Sequence, residues 1–147
     1  MTTNEVVDIY KGMWIWIRDN LNELKDGHLS VHEAKLEYLG KKKKVFEVIG
    51  SCILCESYDS CLYCSLGNCS SRTGHHSIVR DFLEDKYWQG ILIPLSIARE
   101  SCDRIIAVHE ELQAHPTKKL LNKLKELVSA ERAETGVENV EESKIHG

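Results

Sequence analysis

The chain has 147 residues, of which 42% are hydrophobic and 29% charged, and a formal net charge of −4. That is the length of one domain with enough apolar content for a core, and the acidic balance argues against a dedicated phosphate-binding protein. No apolar run is long enough for a membrane-spanning helix.

The first helical pattern covers about Thr3 to Asp26. Thr2 and Glu5 have capping-box spacing, Val6, Tyr10, Met13, Ile17, Leu21 and Leu24 recur at three and four residues, and Gly27 supplies the stop. One face is meant for burial. Trp14 and Trp16 lie off that seam, where bulky aromatics either widen the core or offer a surface to a partner.

A second capping box, Ser30 with Glu33, opens a helix expected to run to about Ile49, with Val31, Ala34, Tyr38, Val45 and Ile49 in one register. Gly40 is its weak point, costing about 1 kcal/mol relative to alanine inside a helix. The run Lys41, Lys42, Lys43 and Lys44 has the composition of a phosphate-binding patch. Four consecutive lysines on a helix spread over most of its circumference, however, and no Arg or aromatic accompanies them, so a solvated face is the simpler reading.

The helix leads into the chain's densest chemistry, CILCESYDSCLYCSLGNC from Cys52 to Cys69, which holds five of the six cysteines. Tetrahedral zinc takes four soft or borderline ligands, and two residues between cysteines let one tight turn aim both thiolates at one ion. Cys52 and Cys55 make one such pair; Cys61 and Cys64, across the linker ESYDS, make another. Cys69, His75 and His76 bring the potential donors to seven. The expectation is one Zn2+ held by Cys52 and Cys55 with two more ligands from Cys61, Cys64 and Cys69, His75 or His76 being possible substitutes.

Other cysteine chemistries fit the pattern less well. Met1 to Val7 lacks the basic stretch and apolar run of a secretory signal, so the cysteines are expected to be reduced and the protein cytoplasmic. The ferredoxin cysteine spacing is absent, and no β-α-β pattern accompanies a Cys-x-x-Cys redox centre. Neither half of the His-x-Glu and Pro-Cys-x-x-Cys deaminase signature appears near the cluster, nor does a His-Glu-x-x-His. A thiolate-rich shell without these companions reads as a structural staple, and no catalytic residues are assigned. A metallohydrolase would need an open zinc position beside Glu56 or Asp59.

Beyond the loop SSRTGHH, an amphipathic stretch begins at Ser77, with Ile78, Phe82 and Leu83 on one face and Tyr87 and Trp88 at its end. Gln89 and Gly90 break it, and ILIPL reads as a brief extended piece or a buried linker ended by Pro94. A further helix spans Ser96 to about His115, its stripe formed by Ile97, Cys102, Ile105, Ile106, His109 and Leu112. After Pro116, Thr117 to about Ala133 forms a last amphipathic helix with Leu120, Leu121, Leu124, Leu127 and Val128 on one side. Its apolar edge either packs at home or pairs with another copy. Residues 134–147 are acidic and aperiodic, a pattern expected of a flexible tail.

The predicted fold is therefore all-α: a small bundle of about five helices over residues 1–133, with a cysteine-rich zinc-binding loop inserted at 52–76. YLGKKKKVFEVIGSCILC, then CLYC, a further cysteine and an amphipathic helical segment together resemble small zinc-binding cysteine-cluster proteins of tailed bacteriophages. The match is carried by Cys52, Leu54 and Cys55, then Cys61 and Cys64, over about Tyr38 to Trp88; Ser65 stands where that family often has proline. The resemblance implies an accessory phage protein in the host cytoplasm that binds and inhibits a host or anti-phage defence protein. Trp14, Trp16, Tyr87 and Trp88 are the candidate partner-binding residues. The alternative is a zinc-dependent nucleic-acid-binding regulator that uses Lys41–Lys44.

Overall fold

A computed structural model describes residues 3–39, 54, 57, 74–88, 90–126 and 128–129. Helix α1 is Thr3–Asp19, α2 is Leu21–Asp26, α3 is Val31–Leu39, α4 is His75–Leu83 and α5 is Leu95–Ala114. Strands β1 (Tyr87–Trp88) and β2 (Ile91–Leu92) form a hairpin between α4 and α5, and residues 118–126 form α6. Among the described residues the architecture is helical apart from that one ribbon, in agreement with the all-α expectation. Apart from Leu54 and Ser57, the cysteine-rich segment lies outside the described residues, as do the stretch expected to extend α3 to Ile49 and the acidic tail.

Helix α5 is the axis of the fold, and α1 and α4 pack along it. Two polar ties show α1 antiparallel to α5: Lys11 Nζ donates to Gln113 Oε1 at 2.9 Å, and Arg18 donates to Asp103 at 2.9 Å near the opposite end. Between them the seam residues Val6, Tyr10, Met13, Ile17, Leu21 and Leu24 are all buried, as their spacing requires, against Ala98, Cys102, Ile105, Val108 and Leu112. Trp14 joins them at 1% exposure. Leu120 and Leu124 of α6 are buried, and Val128 beyond it packs on the core.

Several boundaries differ from the sequence expectation. The first helical stretch breaks at Asn20, whose side-chain amide donates to the Trp16 carbonyl at 2.8 Å. A side chain that bonds the backbone offers the chain an alternative to helix, and here it separates α1 from α2. Helix α2 stops at the expected Gly27, its C-cap, but that glycine is right-handed, and the left-handed position belongs to His28, at φ 58. His28 N–H bonds the Lys25 carbonyl and Leu29 N–H bonds the Leu24 carbonyl, the paired pattern of a Schellman motif with His28 at C′.

Helix α4 ends the same way. Asp85, at φ 56, bonds the Phe82 carbonyl, and Lys86 bonds the Asp81 carbonyl. The expected amphipathic stretch from Ser77 instead starts two residues earlier, with Gly74 as N-cap, so His75 and His76 lie in the first helical turn rather than in a loop. Tyr87 and Trp88 leave the helix altogether and pair with Leu92 and Ile91 across a turn where Gly90 takes φ 81. A positive φ there is what the tight connection demands, and glycine adopts it without a side-chain clash.

The capping box at Ser30 is present on its N-cap side, with Glu33 N–H donating to Ser30 Oγ at 3.1 Å.

Candidate functional site

Two residues of the cysteine-rich segment are described, and both are anchors. Leu54, the leucine of the Cys-x-Leu-Cys motif, is 2% exposed and belongs to the core, and Ser57 is 1% exposed. Ser57 N–H donates to the Leu54 carbonyl at 3.1 Å. The Ser57 carbonyl in turn accepts a 2.6 Å hydrogen bond from the Thr117 hydroxyl, at the entrance to α6. The segment that carries the thiols is thus tied into the bundle at a leucine and a carbonyl.

The proposed zinc ligands Cys52, Cys55, Cys61, Cys64 and Cys69 lie outside the described residues. Five thiols with nearby histidines match zinc in donor chemistry. Among the described residues, no group of three or more His, Cys, Asp or Glu side chains is placed to hold a metal. The two histidines offered as substitutes are described, and both have other partners. His75 Nδ1 lies 3.4 Å from Ser101 Oγ, and burial with the nearby Arg104 lowers its pKa.

His76 is bound more closely. Lys35 Nζ lies 2.5 Å from its Nε2, and because an ammonium only donates, Nε2 is the acceptor and the ring proton sits on Nδ1. The imidazole meets the Trp14 ring edge-on at 5.6 Å between centroids, and Lys35 Nζ stands 4.9 Å from the Trp14 centroid. Desolvation, aided by Lys35 and Arg80, pushes the His76 pKa down to about 3. Sequence reasoning missed Lys35 entirely: it is 2% exposed, on a helix whose pattern marked that position as polar.

The four aromatic residues expected to form a partner surface separate into core and surface. Trp14 is a core residue and offers nothing to a partner. Trp16 is half-buried and pairs with Tyr38, ring centroids 5.8 Å apart. Trp88 is half-buried and packs on the core, whereas Tyr87 is 61% exposed. The hairpin adds two residues that the sequence reading did not single out, Ile91 at 69% and Leu92 at 50% exposure. The short apolar run ILI was their signal, too short to tell an extended piece from a buried linker. Lys41–Lys44 lie outside the described residues.

Cys102 and His109, on the α5 stripe, are buried as expected. Burial pushes the Cys102 thiol up to about 12, so it stays protonated and unreactive at neutral pH. His109 Nδ1–H donates to the Ile105 carbonyl at 2.8 Å, while its Nε2, the Trp14 indole N–H and the Ser77 hydroxyl have no hydrogen-bond partner among the described residues. Burial holds the His109 pKa down at about 4.

A cleft of about 520 Å3 opens between the ends of α2 and α4, lined by Lys25, Asp26, His28, Ser30, Leu83, Glu84 and Asp85. Lys25 reaches across its rim to Asp85 at 3.4 Å and stands 4.5 Å from the Phe82 ring centroid.

No family model, no curated protein and no solved structure matches the chain.

Proposed function

We propose that the protein is a helical interaction protein whose partner docks on the β1–β2 hairpin, with a zinc ion bound by cysteines of the 52–69 segment as a structural staple. The observation that carries the docking reading is the exposure of Tyr87, Ile91 and Leu92 on one six-residue hairpin. Large apolar side chains held together in water mark a surface that gains free energy when covered, by about 25 cal/mol for each Å2 of apolar area removed. A two-stranded ribbon is marginal by itself. This one is fixed at its base, where Trp88 packs on the core and Ile93 is 4% exposed, so the protruding side chains are presented with little entropy left to lose.

The zinc reading rests on the donor set of the sequence and on the buried anchors Leu54 and Ser57, which tether the thiol-bearing segment to the bundle. Four thiolates brought to one ion contribute folding free energy directly. The resemblance to phage cysteine-cluster proteins supports a host or defence protein as the partner, and the reading assigns no catalysis.

The test uses the full chain purified without chelator. Native mass spectrometry should find one zinc per chain. Protein captured from host extract should be retained by wild type and lost from the Tyr87→Ser/Ile91→Ser variant, with zinc content and circular dichroism unchanged. Capture that is indifferent to the hairpin substitutions would remove the docking reading.

A further inference from the structure

We propose that one buried water molecule bridges the indole N–H of Trp14 and Nε2 of His109, joining α1 to α5 at a polar site inside the bundle. Both residues are 1% exposed, and neither atom has a hydrogen-bond partner among the described residues. An indole nitrogen only donates. His109 Nδ1 lies 2.8 Å from the Ile105 carbonyl, and a carbonyl only accepts, so the ring proton is on Nδ1 and Nε2 offers a lone pair. The two unpaired atoms are therefore one donor and one acceptor.

The register of the helices sets these residues opposite each other. Lys11 of α1 bonds Gln113 of α5, and Arg18 bonds Asp103 near the other end of the pair. Residues three or four apart share a helix face, so in an antiparallel pair one turn forward on α1 meets one turn back on α5. From Lys11 and Gln113 that step reaches Trp14 and His109. The surroundings are polar as well. Lys35 Nζ stands 4.9 Å from the Trp14 ring centroid, and its charge is among the causes that lower the His109 pKa, behind burial itself.

A buried water needs two to four polar partners and does not lodge among alkyl groups alone. Here it accepts the indole hydrogen and donates one of its own to Nε2, beside an ammonium. Each orphan left unpaired would carry the desolvation cost of its group, and a single water removes both costs. A hydrogen bond into the Nε2 lone pair exists only while the imidazole is neutral, so the bridge works in the same direction as burial on His109.

The test is a crystal structure of the full chain at a resolution that shows ordered water, with a solution measurement of dipolar transfer from water to the Trp14 indole hydrogen. A water oxygen within about 3.2 Å of both Trp14 Nε1 and His109 Nε2 is expected, together with a cross-peak from a long-lived water to the indole hydrogen. In His109→Leu, which fills similar space without an acceptor, that cross-peak should vanish. A direct Trp14–His109 bond, a protein partner on either atom, or both atoms without water would overturn the proposal from the wild-type structure alone. So would a cross-peak that survives His109→Leu, because the water would then be held without His109.

Discussion

Trp14 and Tyr87 are both large aromatic residues, yet one is 1% and the other 61% exposed. Trp14 lies on α1, which runs antiparallel to α5 with polar ties near both ends, and α3 and α4 supply Lys35 and His76 against its ring. Tyr87 lies on a two-stranded ribbon that no third strand joins among the described residues. A helix within a bundle has neighbours on most of its circumference, whereas a two-stranded hairpin attached at its base can cover only part of what it carries. Burial in this protein is therefore set by the number of elements converging at a position rather than by the side chain's own hydrophobicity.

The comparison predicts unequal costs. Trp14→Ala should destabilise by about 3–5 kcal/mol, the range for emptying a large aromatic site in a core, read as a fall in the denaturant midpoint. A cost below about 1 kcal/mol, typical of surface positions, would mean that α1 does not depend on its partners. Tyr87→Ser should stay within about 0.5 kcal/mol of wild type, and a larger loss would show that the hairpin packs on something in the free protein.

Between these extremes lies a pH effect on the same α1–α5 layer. His109 titrates at about 4 in the folded chain and near the ordinary 6.5 when unfolded, so between those values unfolding takes up a proton. Stability from keeping His109 neutral is complete above pH 6.5 and is lost as pH falls toward 4, at about 1.4 kcal/mol per pH unit. Denaturation of wild type and His109→Asn across that window should differ by this slope. Equal slopes would show that the imidazole is not isolated from water.

The helix ends give a small effect of opposite sign. His28 and Asp85 hold left-handed positions where glycine carries no steric penalty, so Asp85→Gly should stabilise by about 0.5–1 kcal/mol, somewhat less than the full left-handed cost because aspartate tolerates this region better than most residues. A loss of stability would mean that the Lys25–Asp85 pair across the cleft outweighs the strain. An exposed pair of this kind is worth about 0–1 kcal/mol, so the comparison is a close one.

Much of this was legible in the chain. The α1 seam reads directly from its spacing, because a residue that recurs every three or four positions has the same neighbours each time. Ser30 as a cap is equally local, since the hydroxyl and the Glu33 N–H it accepts are three residues apart. The hairpin was half legible: Gln89 and Gly90 marked a break, but two-residue strands are too short for alternation to show, so Tyr87 and Trp88 read as the end of a helix. The start of α4 was misplaced because Gly74, a weaker N-cap signal than a serine or threonine, took the capping position ahead of Ser77.

By itself the sequence determined the helical class, the seam of α1, the stripe of α5 and the supply of thiols for a metal, because periodicity, capping and donor chemistry are properties of neighbouring residues. Only the tertiary structure decided that Lys35 is buried beside His76 and Trp14, that Ile91 and Leu92 project into solvent while Ile93 is buried, and that Thr117 meets Ser57. Each depends on elements far apart in the chain, and local pattern carries no record of which distant groups will share a space.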